Sequence, residues 1–413
     1  MKISIDPVLA SRIRTAWTKL SPSQQSQIAA AVLAANQQAL SVAQSQSAPP
    51  GPAQPHHLMF AQSALTNDSD GLVNSLEAGI VIDVGSDGAI WGTGKYEQLD
   101  PGWVEAFAVF LESLIFGRHP FMGVPQTVRI PDTVTIAMAG DWGTGDWRTA
   151  ANPAPSTDVR IHLAMLRPEI TIHLGDVYYA GTGDQEQHLL VNLWPAGSLA
   201  SFALNSNHEM YSGANPYFQA IAKAPFAAQQ GCSYFALEND NWVIVGLDSA
   251  YFAAELELYL NGSLGPAEGT QVQFLQQFTA TNKKVIVLTH HNGLTEDGSS
   301  ETVLWGQVMS GFPAGNGPAY WYWGHVHVGA VYRNQDPQGR NVACRCCGHG
   351  GLPLGNSAAL ENAPNVAWYE KEPANDPDIP QRVQDGFVVL RLDGPNIEEK
   401  FYNENGGVAW FSS

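Results

Sequence analysis

From Val134 onward the chain repeats one texture, in which a short apolar run closes in a polar, glycine-bearing turn: TVTIAMAGDWG, PEITIHLGDVYY, KKVIVLTHHNG and PAYWYWGHVHV. Such runs lack the alternation of a half-solvated strand. They predict strands buried on both faces, each presenting its polar residues just past its end. SYFALEND followed by NWVIVGLDS predicts a hairpin around Asn239 and Asp240, and FVVLRLD predicts a late strand. No internal repeat is evident.

The first part of the chain follows a helical period instead. Ser21-Pro22-Ser23-Gln24 has the form of a helix start, with Ser21 as cap, Pro22 in the first turn and Gln24 closing a capping box. The run from Pro22 to Gln44 predicts a helix with Ile28, Val32, Leu33 and Leu40 on one stripe. It is expected to pack against a shorter helix over about Val8 to Lys19. A second apolar helical pattern runs from Gly102 to Phe116 through Trp103, Phe107, Phe110, Leu111 and Leu114, and GIVIDVG, Gly79 to Gly85, reads as a short strand. Between them SAPPGPAQPHH, Ser47 to His57, concentrates proline and small residues and reads as a linker. The expected division is an accessory region over 1–130 and a catalytic domain over 131–413.

Composition narrows the class. The chain has 413 residues, 44% hydrophobic and 14% charged, which suits a globular enzyme with a large core. A formal charge of -19, from 39 acidic and 20 basic residues, repels phosphate chains and excludes a nucleic acid groove. Any phosphate site must bring its own positive charge, which bound metal ions would supply. Asp6, Arg12, Arg14 and Lys19 interrupt the N-terminus, so no apolar core of a signal peptide forms there. No apolar run reaches the roughly 18 residues of a membrane span. A cytoplasmic protein without membrane partners is expected. Of four cysteines, Cys344, Cys346 and Cys347 share the run ACRCCGHGG. They read as reduced thiols, because C-x-C-C beside His349 matches no common zinc spacing.

The chemistry concentrates in five loops in order: GDWG (Gly140 to Gly143), GDVYY (Gly175 to Tyr179), NHE (Asn207 to Glu209), THH (Thr289 to His291) and GHVH (Gly324 to His327). Each alone is a weak sign, since an aspartate after a strand commonly bonds its own backbone in a turn. Together they supply carboxylate and amide oxygens with imidazole nitrogens, the donor set that hard and borderline cations accept. Alternation on an extended segment predicts that His325 and His327 point the same way, each towards a metal.

These ordered motifs resemble the calcineurin-like metallophosphoesterase superfamily over about Thr133 to Val328, and within it the purple acid phosphatase-type branch. The superfamily usually opens with D-x-H, whereas Asp141 is followed by Trp142 and Gly143. Tyr179 stands three residues after Asp176, the G-D-x-x-Y spacing with which that branch places a tyrosinate on ferric iron. The resemblance implies an α/β fold, a sandwich of two mixed β-sheets flanked by helices, and a phosphoric ester hydrolase holding two metal ions. The first ion would take Asp141, Asp176, Tyr179 and His327. The second would take Asp176, Asn207, His290 and His325, with Asp176 between the two. A hydroxide held by the ions would attack phosphorus, and His208 would serve the leaving alcohol. The implied metals are iron with zinc, manganese or a second iron. A reducing compartment favours manganese or zinc over ferric iron.

Ser206 stands where the family usually has glycine, a change the backbone tolerates only at negative φ. Tyr178 is expected to pack, and Glu209 to orient neighbouring loops rather than bind metal. His291 reads as either substrate-facing or supporting, and His349 as either lining the mouth of the site or lying apart from it. The expected substrates are small phosphomonoesters. The rival readings are a phosphodiesterase of small diesters, and a non-catalytic module that binds metal or phosphorylated ligands. In the last reading the N-terminal region would be the docking or assembly module, and in general that region is expected to offer a surface for a protein partner or for self-association.

Overall fold

The computed structural model describes residues 2–3, 7–32, 80–81, 102–123, 125, 127–142, 148, 150, 152–333, 340–352, 360–377 and 382–412. The linker expected over Ser47–His57 and the continuation of the Ala- and Gln-rich helix beyond residue 32 lie outside them. Strand β1 (Lys2–Ile3) pairs antiparallel with β2 (Ile80–Val81), the described part of GIVIDVG. Helix α1 spans Pro7–Trp17. Helix α2 is described over 22–32 and opens with the predicted capping box: the Ser21 N–H donates to Gln24 Oε1 at 2.9 Å and the Gln24 N–H to Ser21 Oγ at 3.3 Å. Helix α3 spans Gly102–Phe116.

These helices bury their stripes in one cluster. Ile13, Trp17, Ile28, Val32, Phe107, Phe110 and Leu111 pack together with Ala139, Trp142, Tyr179, Met210 and Tyr259 of the following chain. Arg12 adds a bidentate pair to Glu112, which joins α1 to α3.

The apolar runs form strands where the pattern places them. They are β3 (Thr127–Arg129), β4 (Thr133–Ala139), β5 (Ile170–His173), β6 (Ala200–Ala203), β7 (Phe235–Glu238), β8 (Trp242–Leu247), β9 (Lys284–Thr289) and β10 (Tyr320–Trp323). Then follow β11 (Gly329–Tyr332), β12 (Ala343–Cys347), β13 (Val366–Tyr369), β14 (Gly386–Asp393), β15 (Asn396–Asn403) and β16 (Val408–Phe411). The hairpin β7–β8 turns on Asn239, whose Oδ1 accepts the N–H of Asn241 at 2.9 Å and of Trp242 at 2.7 Å.

Two mixed sheets result, one of eight strands in the order β13-β11-β12-β10-β9-β8-β7-β3 and one of six in the order β16-β15-β14-β4-β5-β6. Strand alternation assigns the faces. Ile136 and Met138 of β4 point between the sheets, with Ile170, Ile172, Ile244, Ile286, Leu288 and Leu390. Ala137 and Ala139 point outward to the helical cluster, and the outer face of the larger sheet is covered by helices over Thr270–Thr279 and Val303–Met309. One ion pair crosses the inter-sheet core: Arg345 Nε and Nη2 donate to Glu399 at 2.7 and 3.0 Å, and the Tyr322 hydroxyl donates to the same carboxylate at 2.8 Å.

Because β4, β5 and β6 are parallel to one another, as are β8, β9 and β10, their carboxyl ends form one edge where the two sheets meet. Loops at that edge are where a rigid α/β scaffold exposes reactive groups.

Candidate metal centre

The loops after β4, β5, β6, β9 and β10 converge at this edge. Asp141, Asp176, Asn207, His208, His290, His325 and His327 are each no more than 4% exposed. Three of them hold left-handed backbone, Asp141 at φ 57°, Asp176 at φ 61° and His325 at φ 65°. Such conformations cost about 1–3 kcal/mol each in a non-glycine residue and persist where the surroundings over-determine them. The Asp141 N–H donates to the Gly175 carbonyl at 2.9 Å, which ties the first two loops together.

The preceding glycines make room. A Cβ on Gly175, itself at φ 98°, would stand 2.7 Å from His290 Nδ1, and one on Gly324 would stand 2.5 Å from Asp141 Oδ2.

Backbone carbonyls set the imidazoles. His290 Nδ1 lies 2.9 Å from the Leu174 carbonyl, and a carbonyl only accepts, so the proton sits on Nδ1 and the lone pair on Nε2. That lone pair faces Asn207 Oδ1 at 2.9 Å and Asp176 Oδ1 at 3.3 Å, with His325 Nδ1 at 3.2 Å. An imidazole lone pair, an amide oxygen and a carboxylate oxygen thus converge in a buried space. Like His290, His208 gives its Nδ1 proton to a carbonyl, that of Tyr178 at 2.7 Å, and aims Nε2 at Asp176 Oδ2, 3.6 Å away.

Around the second aspartate, Glu209 accepts the N–H of Asp176 at 3.2 Å and of Val177 at 3.0 Å, orienting the neighbouring loop as expected. Asp141 Oδ2 accepts the His325 N–H at 2.9 Å, while its Oδ1 lies 3.2 Å from His327 Nε2. Asp141 Oδ1 and Asp176 Oδ2 are buried without a hydrogen-bond partner among the described residues.

Burial pushes the Asp141 carboxyl well up and Asp176 up to about 7, the latter helped by the nearby Asp141. Burial also holds His327 and His208 down to about 4 and His290 well below its usual range. The protein surroundings alone thus disfavour both the ionised carboxylates and the protonated imidazoles. A metal cation among them reverses the carboxylate penalty and needs the neutral imidazoles as they stand. The residues therefore fit a metal site. Asp141, Asp176 and His290 form one set of donor atoms close enough to share an ion.

His290, His291 and His325 also have ring nitrogens close enough for one ion, but hydrogen bonding speaks against this second set. Both His291 nitrogens are engaged, Nδ1 with Ser249 Oγ at 2.9 Å and Nε2 with the Tyr259 carbonyl at 2.8 Å. His291 is buried and supports the loop rather than facing substrate.

One expectation changes, and two open points resolve. His325 and His327 do not lie on an extended strand. The left-handed His325 is followed by tight turns in which the Val326 N–H meets the Gly324 carbonyl at 2.7 Å and the Val328 N–H meets the Val326 carbonyl at 2.6 Å. The turns exist because β10 ends at Trp323 and the chain must reverse into the antiparallel β11 to β12 pairing. His349 is 2% exposed and lies against Phe401, Gly329 and Gly386, packed in the interior. Cys344 and Cys346 face one side of β12 and Cys347 the other, so the three sulfurs do not converge.

Tyr179 is 2% exposed, with its ring edge-on to Tyr178 at 4.7 Å. Ser206, at φ -136°, does not need glycine, and its hydroxyl donates to Asp176 Oδ1. That contact was invisible in the sequence. Its only signal was an unusual residue beside Asn207.

Residues 134–329 match the family model of the calcineurin-like phosphoesterases. No curated protein matches the chain. Among solved structures, a purple acid phosphatase from yellow lupin seeds aligns at 16% identity and TM-score 0.47, over 69% of this chain and 53% of that one. The chain thus spans about half the length of the lupin protein. The anchor in the inner membrane complex of Plasmodium aligns at 13% identity and TM-score 0.46, over 68% and 88%. A dimetal phosphatase from Danio rerio aligns at 13% and TM-score 0.41, over 66% and 96%. Residues 134–329 thus carry a calcineurin-like phosphoesterase domain. No helix among the described residues is long and apolar enough to cross a membrane.

Proposed function

We propose that this phosphoesterase domain hydrolyses small phosphomonoesters with two metal ions in one centre. Asp141, Asp176, Tyr179 and His327 would hold one ion, and Asp176, Asn207, His290 and His325 the other. The observation that carries the reading is the His290 Nε2 lone pair facing Asn207 Oδ1 at 2.9 Å and Asp176 Oδ1 at 3.3 Å, three electron-rich atoms that a cation between them would satisfy together. When bound, the ions supply Lewis acidity and lower the pKa of water towards neutrality.

The protein's own contribution is orientation and proton handling. The Leu174 carbonyl fixes the His290 tautomer, and the Tyr211 hydroxyl, 3.4 Å from Asn207 Nδ2, turns the amide oxygen towards His290. His208, with Nδ1–H held by the Tyr178 carbonyl, leaves Nε2 unprotonated at rest, so that nitrogen would take the proton released by the attacking water and pass it to the departing alkoxide. The G-D-x-x-Y spacing of Asp176 and Tyr179 favours the purple acid phosphatase type, with iron beside zinc, manganese or a second iron.

Elemental analysis beside hydrolysis of para-nitrophenyl phosphate and its bis ester tests the reading. Two metals per chain, preference for the monoester, and loss of both metal and turnover in Asp176→Asn are expected. Diester preference would replace the monoester assignment. Metal-free, inactive protein that cannot be reconstituted would instead leave a binding module. A visible charge-transfer band that disappears in Tyr179→Phe is the expected mark of tyrosinate on iron.

A further inference from the structure

We infer that Ser206 is a positioning residue that sets the Asp176 carboxylate against the start of the helix carrying Asn207 and His208, and so tunes the metal position formed by Asn207 and His290. The inference rests on the two-metal reading above. A hydroxyl can donate once and accept at the same time, and Ser206 does both. It donates to Asp176 Oδ1 and accepts the His208 N–H at 3.1 Å, capping the helix over Asn207–Tyr211. One side chain thus joins the carboxylate shared by the proposed ions to the element supplying an amide ligand and the His208 imidazole.

The contact is one-sided. Asp176 Oδ1, the oxygen held by Ser206, is the one 3.3 Å from His290 Nε2, whereas Oδ2 faces His208 and His327 at 3.6 and 4.0 Å. Ser206 is fully buried, so water does not substitute for its hydroxyl. Its backbone at φ -136° would accept alanine without strain, so the side chain and not the conformation is what the position uses. Losing the hydroxyl frees the carboxylate to rotate and strands Oδ1 without its donor, an effect felt first on the Asn207–His290 side.

Manganese(II) titration followed by calorimetry, on wild type, Ser206→Ala and Ser206→Thr, tests this. The expected result is two binding events in wild type, a second event weakened by about 10- to 100-fold in Ser206→Ala, and near wild-type binding in Ser206→Thr, which keeps the hydroxyl. A simple capping role would lower the melting temperature of Ser206→Ala and leave both manganese affinities within about threefold, a margin of roughly 0.7 kcal/mol, and that result overturns the inference. Equal weakening in both variants overturns it as well, because the hydroxyl would then not be the cause. Wild type that takes up one manganese or none refutes the two-metal reading on which the inference stands.

Discussion

Gly324→Ala adds one methyl to the floor of the metal centre and changes nothing else in the chain. The glycine lies outside the left-handed region, so alanine meets no backbone penalty, and the whole effect is steric. The new Cβ would stand 2.5 Å from Asp141 Oδ2, and since ordinary contact begins at 3.4 Å the oxygen must retreat by roughly 0.9 Å. That oxygen accepts the His325 N–H at 2.9 Å, and its partner Oδ1 lies 3.2 Å from His327 Nε2. Both histidines of the GHVH loop therefore lose their register with Asp141.

Overpacking of this kind costs about 1–3 kcal/mol, a fraction of the roughly 5–15 kcal/mol that holds a typical protein folded. The variant should fold. A ligand misplaced by about 1 Å costs on the order of 100-fold in rate, and metal affinity should drop by about 10- to 100-fold. The assay is a thermal melt, metal content after desalting, and turnover of para-nitrophenyl phosphate on the same preparation. A folded Gly324→Ala protein with full metal content and turnover within about twofold of wild type, roughly 0.4 kcal/mol, would refute the proposed placement of Asp141 and the GHVH loop around a shared ion.

Two further outcomes follow from neighbouring parts of the structure. Glu209→Gln replaces one amide-accepting oxygen by an NH2 that opposes the N–H of Asp176 or Val177. Chemical denaturation should register a loss of about 1–3 kcal/mol, with metal affinity down by about 10-fold, and an unchanged denaturation midpoint would refute the orienting role. Arg345→Met takes the cation away from the buried Glu399 carboxyl, leaving it only the Tyr322 hydroxyl, and should cost about 3–5 kcal/mol by the same measurement, with Arg345→Met/Glu399→Leu recovering most of it.

The donor residues were legible because their chemistry is carried by residue type and order. GDWG, GDVYY, NHE, THH and GHVH announce oxygen and nitrogen donors, and the apolar runs before four of them announce the strands that end there. What orients those donors was not legible. The proton position on His290 depends on the Leu174 carbonyl and that on His208 on the Tyr178 carbonyl, and every residue has a carbonyl, so no residue type marks the one that matters. Ser206 stands out in the sequence for its backbone and not for its hydroxyl, because its partner Asp176 lies 30 positions away.

The sequence by itself determined the texture of buried strands, the caps and turns such as Ser21 with Gln24 and the Asn239 hairpin, and the set of groups able to hold metal. These depend on local periodicity and side-chain chemistry. Only the tertiary structure decided that the stripes of α1, α2 and α3 join the same buried cluster as Trp142 and Met210, because a stripe says that a face is buried but not against what. It also decided that His325 bends through a left-handed turn, that His291 supports its loop and that the cysteines diverge. Each of these is set by where distant segments meet, and an apolar pattern carries no information about which distant segment fills the space beside it.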